Sequence, residues 1–418
     1  MINLKNIIIL GMTGLILSGC SSLGKGVTEA FLEKQEAEDT RMCEIWGAEF
    51  SGIKPYLSNT KGKMKVLMVH GVGDHKPGYS TEFFEKLAKE LDLTVTSRAH
   101  KDIKLSDPEL PDIPLGNLRI NRFLSKDRSQ ELIFYELTWS EITAKEKEVL
   151  AYDNSGQYSF RRTELNDLMK RFSNDTGPDP IIYLGESRED ILLAFTQSFC
   201  WMTYGNWDEL PEGEGKSCVL PDISAIINDE YAFISHSLGS RITIDGVERI
   251  TSALGQSMTD DDDMYQKTVK SELKKKTIPI YMMSNQLPML QLGRKLPTES
   301  NQKQAYCEPK GEKHSKRMLT KTPIIAFSDP NDILSYAIPP GFVEKYLDSR
   351  LCIEVTNVNI NVAFVYDIFG LGKVANPMDA HIGYDTDDRV IGLIAKGIGN
   401  DNTNDIVKER CQWIETID

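Results

Sequence analysis

The chain has 418 residues, 40% of them hydrophobic and 26% charged, which is the make-up of a globular protein with room for one large domain or two ordinary ones. Its formal net charge of −14 counts against general nucleic-acid binding, which needs clustered Lys and Arg to meet phosphates.

The chain opens with MINLKNIIILGMTGLILSGC: Lys5, an apolar run from Ile7 to Leu17, then small residues. This is the pattern of a secretory signal, too short and too abruptly ended for a good membrane span. Its end, Leu17-Ser18-Gly19-Cys20, resembles the lipobox of bacterial lipoproteins. That resemblance implies a signal peptide over residues 1–19, acylation of Cys20 and a membrane-held mature chain. Ser21 rather than aspartate in the next position implies sorting to the outer membrane of the cell envelope. Acyl chains anchor by burying methylenes, at about 0.8 kcal/mol each. Residues 20–62 read as a tether leading into a helix around VTEAFLEKQEAEDTRM.

Six further cysteines, Cys43, Cys200, Cys218, Cys307, Cys352 and Cys411, make disulfides possible on an export route. Cys200 and Cys218 flank a Trp- and Gly-containing stretch and are the best local pair. Neither a CxxC spacing nor a Cys/His cluster suggests zinc.

The main domain is expected over residues 63–418. KVLMVHGVGDH reads as a buried parallel strand followed by a glycine loop. In YSTEFFEKLAKELDL, Phe83, Phe84, Leu87 and Leu91 fall at helical spacing, with Thr81 as a candidate cap. LTVTSRA and ELIFYELTW read as the next strands. Strand, helix, strand in this order implies βαβ units and a sheet covered by helices, an α/β fold.

Residues 140–225 separate two strand signals by more than a usual crossover and read as a cap-like helical insertion. SEITAKEKEVLAY and RRTELNDLMKRF are polar amphipathic helices. ILLAFTQSFCWMTYGNW is apolar, either core or pocket wall. The sheet resumes with YAFISHS, TIPIYMMSN and TPIIAFSD, and LCIEVTNVNINVAF is expected to close it. The polar stretch LGRKLPTESNQKQAYCEPKGEKHSKRM reads as a surface loop that Cys307 staples. The acidic run Asp260–Asp263 lacks the ligand spacing of an EF-hand and reads as a solvated turn.

Between the strand YAFISHS and a helical pattern stands Ser235-His236-Ser237-Leu238-Gly239. It resembles the G-x-S-x-G nucleophile elbow of the α/β-hydrolase superfamily, with Ser235 in place of the first glycine. A sharp strand-to-helix turn with small residues on either side lifts the hydroxyl clear of the sheet. The resemblance covers residues 63 to about 390. It implies Ser237 as nucleophile, followed in the chain by an acid and then a histidine. His381, in NPMDAHIGYDTDD, fits as the base. His314 precedes the candidate acids and breaks the order, and His236 is adjacent to the serine on the turn. In TPIIAFSDPNDILSY, Asp332, ahead of apolar residues, fits as the acid, and Asp329 is the alternative. His70-Gly71 resembles the oxyanion loop of lipases and esterases. The donors it implies are the backbone N–H groups of Val72 and Leu238. The loop lacks the Gly-Lys-Ser/Thr ending of a nucleotide-binding P-loop.

The implied function is a membrane-anchored serine hydrolase acting on carboxylic esters, with lipid esters as candidate substrates and no metal or organic cofactor. A thioesterase, acyltransferase or amidase would use the same triad. A surface lipoprotein that keeps the fold to bind a partner is the alternative from another class.

Overall fold

The structure is a computed structural model that describes residues 41–58, 62–95, 100–151, 153, 159–219, 221–256, 264–367 and 373–415. The expected signal peptide, Cys20, most of the expected N-terminal helix and the acidic run Asp260–Asp263 lie outside them.

The chain builds a mixed α/β structure on a 12-stranded, mostly parallel sheet. Its strands are β1 (Cys43–Gly47), β2 (Met64–Val69), β3 (Thr94–Val95), β4 (Lys101–Ser106), β5 (Pro114–Leu124), β6 (Glu131–Thr138), β7 (Gly213–Lys216), β8 (Glu230–His236), β9 (Ile280–Met283), β10 (Thr322–Ser328), β11 (Ile353–Ile360) and β14 (Cys411–Trp413). A separate hairpin pairs β12 (Val365–Asp367) with β13 (Lys373–Ala375). The sheet order is β14-β1-β11-β10-β9-β8-β2-β6-β5-β4-β7, with β3 on β5. From β11 across to β6 every neighbouring pair is parallel.

The central strands are the expected ones, because burial on both faces leaves them continuously apolar. All six residues of β2 are buried. Leu67 and Val69 enter one core, and Met64, Val66 and Met68 enter the other, as the two-residue period of a strand requires. Even Lys65 is buried, its ammonium 2.6 Å from Asp229 and donating to the Tyr204 carbonyl.

The helices that matter below are α1 (Thr81–Glu90), α2 (Glu141–Ala151), α3 (Glu164–Thr176), α4 (Pro178–Tyr183), α5 (Arg188–Met202), α6 (Gly239–Gln256), α7 (Pro377–Ile382) and α8 (Asp388–Lys396). On one face α5 and α6 pack together, and on the other α1 packs against α8. In α1, Phe83, Phe84 and Leu87 are buried, and Leu91 just past its end is buried too. Thr81 is its first helical residue rather than its cap, and its hydroxyl returns to the Gly78 carbonyl.

Residues 140–225 are mostly helical but also carry β7, which pairs with β4 at the end of the main sheet. Their apolar segment α5 is core: Ile191, Leu192, Phe195, Phe199 and Met202 lie under the sheet, with Phe195 5.3 Å from Phe233.

Four further features differ from the sequence reading. The sheet starts before Lys63, at β1, a short strand whose alternate residues Cys43 and Ile45 are buried. It does not close at β11, since β1 pairs antiparallel with β11 and carries β14 on its far side. β4 and β5 form an antiparallel arm inside the expected parallel run. In LTVTSRA only Thr94–Val95 is described as strand, and both residues are exposed.

All six described cysteines pair, Cys43–Cys411, Cys200–Cys218 and Cys307–Cys352, with Cα separations of 4.5, 5.8 and 5.4 Å. The first ties the edge strand β14 to its neighbour β1. The expected local pair is present, and Cys307 staples its loop to the start of β11. Among the described residues no helix is long and apolar enough to cross a membrane.

Candidate active site

The carboxyl ends of β2, β8, β9 and β10 lie side by side, so the turns that follow them share one edge of the sheet. Ser237 follows β8 and precedes α6. Its φ is +54°, a left-handed value that costs a non-glycine residue free energy and persists only when the surroundings enforce it. Enforcement comes from both sides. The Ser237 N–H donates to the Met283 carbonyl at the end of β9 (3.0 Å), and the Ser240 N–H and hydroxyl donate to the Ser237 carbonyl.

Gly239 is required by contact: a Cβ there would lie 2.3 Å from the Val69 carbonyl oxygen. Ser235, standing where the elbow motif has glycine, is fully buried and turns its hydroxyl toward the Tyr281 carbonyl (3.4 Å). The Ser237 hydroxyl is buried and has no hydrogen-bond partner among the described residues. Leaving such a group unsatisfied costs about 1–3 kcal/mol, so its retention calls for a functional explanation.

The loop after β2 lies against this serine. A Cβ on Gly71 would sit 2.7 Å from the Ser237 Cβ and 3.2 Å from its hydroxyl oxygen. His70 holds the loop. Its Nε2 accepts from the Trp139 backbone N–H (3.1 Å), so the ring proton is on Nδ1, which donates to the Gly71 carbonyl (2.8 Å). The ring is stacked between Trp139 and His75, at 4.6 and 4.1 Å. In a trans peptide the C=O and the following N–H point in opposite directions. Pinning the Gly71 oxygen therefore fixes the direction of the Val72 N–H. Neither the Val72 nor the Leu238 N–H donates to a protein acceptor among the described residues.

The insertion grips the far end of the same loop. The Gly73 N–H donates to Asp179 on α4 (2.6 Å), and the Asp74 N–H to Asp175 on α3 (3.2 Å). Lys147 on α2 bridges Asp179, Asp74 and Asp175 at 3.0, 3.3 and 3.5 Å. Burial opposes the Lys147 charge, but these carboxylates outweigh it and raise its pKa.

The two candidate acids part company. The Asp329 carboxylate accepts from the N–H groups of Asn331, Val362 and Ala363 at 2.7, 2.7 and 3.0 Å, and so ties the turn after β10 to the one after β11. Asp332 faces His381, with Oδ1 3.0 Å from Nδ1. The same oxygen accepts from the Leu334 N–H, while Oδ2 accepts from the hydroxyls of Ser284 (2.7 Å) and Tyr384 (3.3 Å). Burial alone would raise its pKa, but hydrogen bonding and charge from His381, with help from Ser284, hold the carboxyl below its ordinary value.

His381 sits on the short helix α7, whose start is capped by Asn376. His236 is a support for it: its Nε2–H donates to the His381 carbonyl (2.7 Å), and the rings meet edge-on at 5.1 Å. His314 is elsewhere, beside the Tyr306 carbonyl in the surface loop. The structure thus brings Asp332 and His381 together and sets Ser237 beneath the Gly71 loop. It shows no hydrogen bond between Ser237 and His381. Among the described residues no group of three or more His, Cys, Asp or Glu is placed to hold a metal ion.

Sequence reasoning missed three contributors: Ser284, Tyr384 and the Lys147–Asp179 grip. Only Ser284 carried a local signal, a small polar residue directly after a buried strand, as in Ser237.

Two histidines of this region make acid stability a prediction. Burial pushes His236 down to about 3, with His381 adding repulsion, and burial holds His70 well below its usual range, with His75 adding to it. Their folded pKa values lie below the unfolded value near 6.5, so below that pH the unfolded chain takes up protons that the native chain refuses. The stabilisation is complete above about pH 6.5 and is lost as pH falls toward the folded values, by about 1.4 kcal/mol per pH unit for each ring. Followed by NMR from pH 7.5 to 5, both rings should stay neutral in the folded chain; protonation of either in that range would contradict the assignment.

Compared with known proteins, the chain matches no family model, no curated protein and no solved structure.

Proposed function

We propose that the chain is a serine hydrolase of the α/β-hydrolase type that cleaves carboxylic esters through an acyl-enzyme. The observation that carries this reading is the strained Ser237 under the Gly71 loop, with Asp332, in the loop after β10, paired to His381 on α7.

In the proposed reaction the Ser237 oxygen attacks the ester carbonyl carbon as its proton passes to His381 Nε2. The Nδ1–H of that ring is held by Asp332, which leaves the lone pair on Nε2 and stabilises the imidazolium. The tetrahedral oxyanion is met by the N–H groups of Val72 and Leu238. Collapse expels the alcohol, protonated by His381, and leaves the acyl group on Ser237. Water, deprotonated by His381, then releases the acid. The hydrogen bond from serine to base closes as substrate binds, since such contacts are often loose without it.

The anchor at Cys20 and lipid esters as substrates belong to the same proposal. They are supported by the lipobox-like sequence and by apolar side chains exposed next to the candidate acid and base, Ile333, Leu334 and Ile382. A binding protein of the same fold is the second reading, and the full burial of Ser237 favours it.

Turnover of nitrophenyl esters from acetate to palmitate separates the two. The expected result is saturable hydrolysis that alcohols divert into transesterification, as a shared acyl-enzyme requires. No turnover at any chain length contradicts the proposal.

A further inference from the structure

Ser284 follows β9 and is fully buried, with φ +50°, a second non-glycine residue held left-handed at this edge of the sheet. Its oxygen lies 2.7 Å from Asp332 Oδ2 and 3.0 Å from His381 Nδ1. An ionised carboxylate only accepts, so the single hydroxyl proton lies on the Asp332 side. The serine lone pairs then face His381 Nδ1, whose proton is directed between Asp332 Oδ1 and the Ser284 oxygen.

The turn carrying Ser284 reaches Ser237, Asp332 and His381 and the loop that bears the acid. The carbonyl of Met283, one residue earlier, receives the Ser237 N–H. Asn285, one residue later, donates its N–H to the Phe327 carbonyl (3.0 Å) and its side-chain amide to the Tyr336 carbonyl (2.6 Å), which fixes the loop bearing Asp332. One three-residue turn thus braces the serine backbone, the acid's carboxylate and the base's proton.

We infer that Ser284 is a positioning residue that locks the Asp332 carboxylate rotamer and the Nδ1–H tautomer of His381. This rests on the serine-hydrolase reading above. It adds a fourth side chain to Ser237, His381 and Asp332. Ser284 acts only through Asp332 and His381, and it prepares the imidazole to receive the Ser237 proton at Nε2 and to give it back to the leaving alcohol.

Ser284→Gly and Ser284→Ala test the inference on the full chain. Glycine accepts φ +50° without strain, so that variant keeps the turn while losing the hydroxyl. For both variants the expected result is a kcat about tenfold lower with KM unchanged, the size of one lost hydrogen bond. The low-field proton resonance of His381 Nδ1–H should also shift or vanish. Wild-type kcat in both variants, a change confined to KM, or an unmoved resonance would overturn it. If the wild type hydrolyses no ester, the hydrolase reading fails by itself, and the resonance still decides whether Ser284 orders the His381–Asp332 pair.

Discussion

Asp332→Asn is expected to lower ester turnover on the order of 10⁴-fold with little change in folding. Loss of the orienting acid elsewhere has an effect of that size, because the amide stabilises the wrong imidazole tautomer. Here the amide would present either an N–H to Nδ1, forcing the proton to Nε2, or a neutral oxygen with a weaker hold on the imidazolium. Asp329→Asn is the control. Its carboxylate spans the N–H groups of Asn331, Val362 and Ala363 and touches no imidazole. An asparagine oxygen satisfies part of that set, and each N–H left over costs about 1–3 kcal/mol. That variant should therefore lose stability and keep its turnover within a few-fold. Steady-state kinetics beside urea unfolding reads both effects. If Asp329→Asn were the inactive variant, the acid would be misassigned.

Gly71→Ala should be the next most damaging change, at about 10² to 10³ in kcat. Space is the reason. The added methyl would stand 2.7 Å from the Ser237 Cβ, closer than real carbons approach, and 3.1 Å from the His236 carbonyl. The Ser237 backbone cannot retreat, since its N–H is bound to Met283 and its carbonyl to Ser240. The Gly71 peptide must move instead. The hydrogen bond from His70 to the Gly71 carbonyl is then strained, and the Val72 N–H turns away from the developing oxyanion. Far-UV circular dichroism should stay that of the native chain while turnover falls. Undiminished kcat in a folded variant would remove this loop from the account.

Most residues of the candidate site were legible because they follow a buried strand. A central parallel strand is a continuous apolar run, and what comes directly after it is at the sheet's working edge. Ser237, His70-Gly71 and Asp332 were all found this way, and His381 by its place in chain order.

The same logic failed at the sheet's periphery. β4 and β5 carry Asp102 and Arg119 as a cross-strand pair, so KDIKLS and GNLRINRF do not read as buried strands. β1 is five residues long and takes its meaning from partners hundreds of positions away, including Cys411. Lys147 lies on a helix that reads as a solvated face, and only the fold shows that Asp74, Asp175 and Asp179 surround it. Ser284 is a different case, because its place directly after the central strand β9 is a local sign but its role is not. Its partners Asp332 and His381 are 48 and 97 residues further on, and no local pattern announces a contact of that range.

A nucleophilic Ser237 should be open to covalent labelling. The full-length protein would be treated with a fluorophosphonate near pH 8 and the adduct located by peptide mapping. One phosphonylated residue is expected, Ser237, with no labelling of Ser237→Ala. Labelling of a different serine, or none in the folded wild-type protein, would contradict a nucleophilic Ser237.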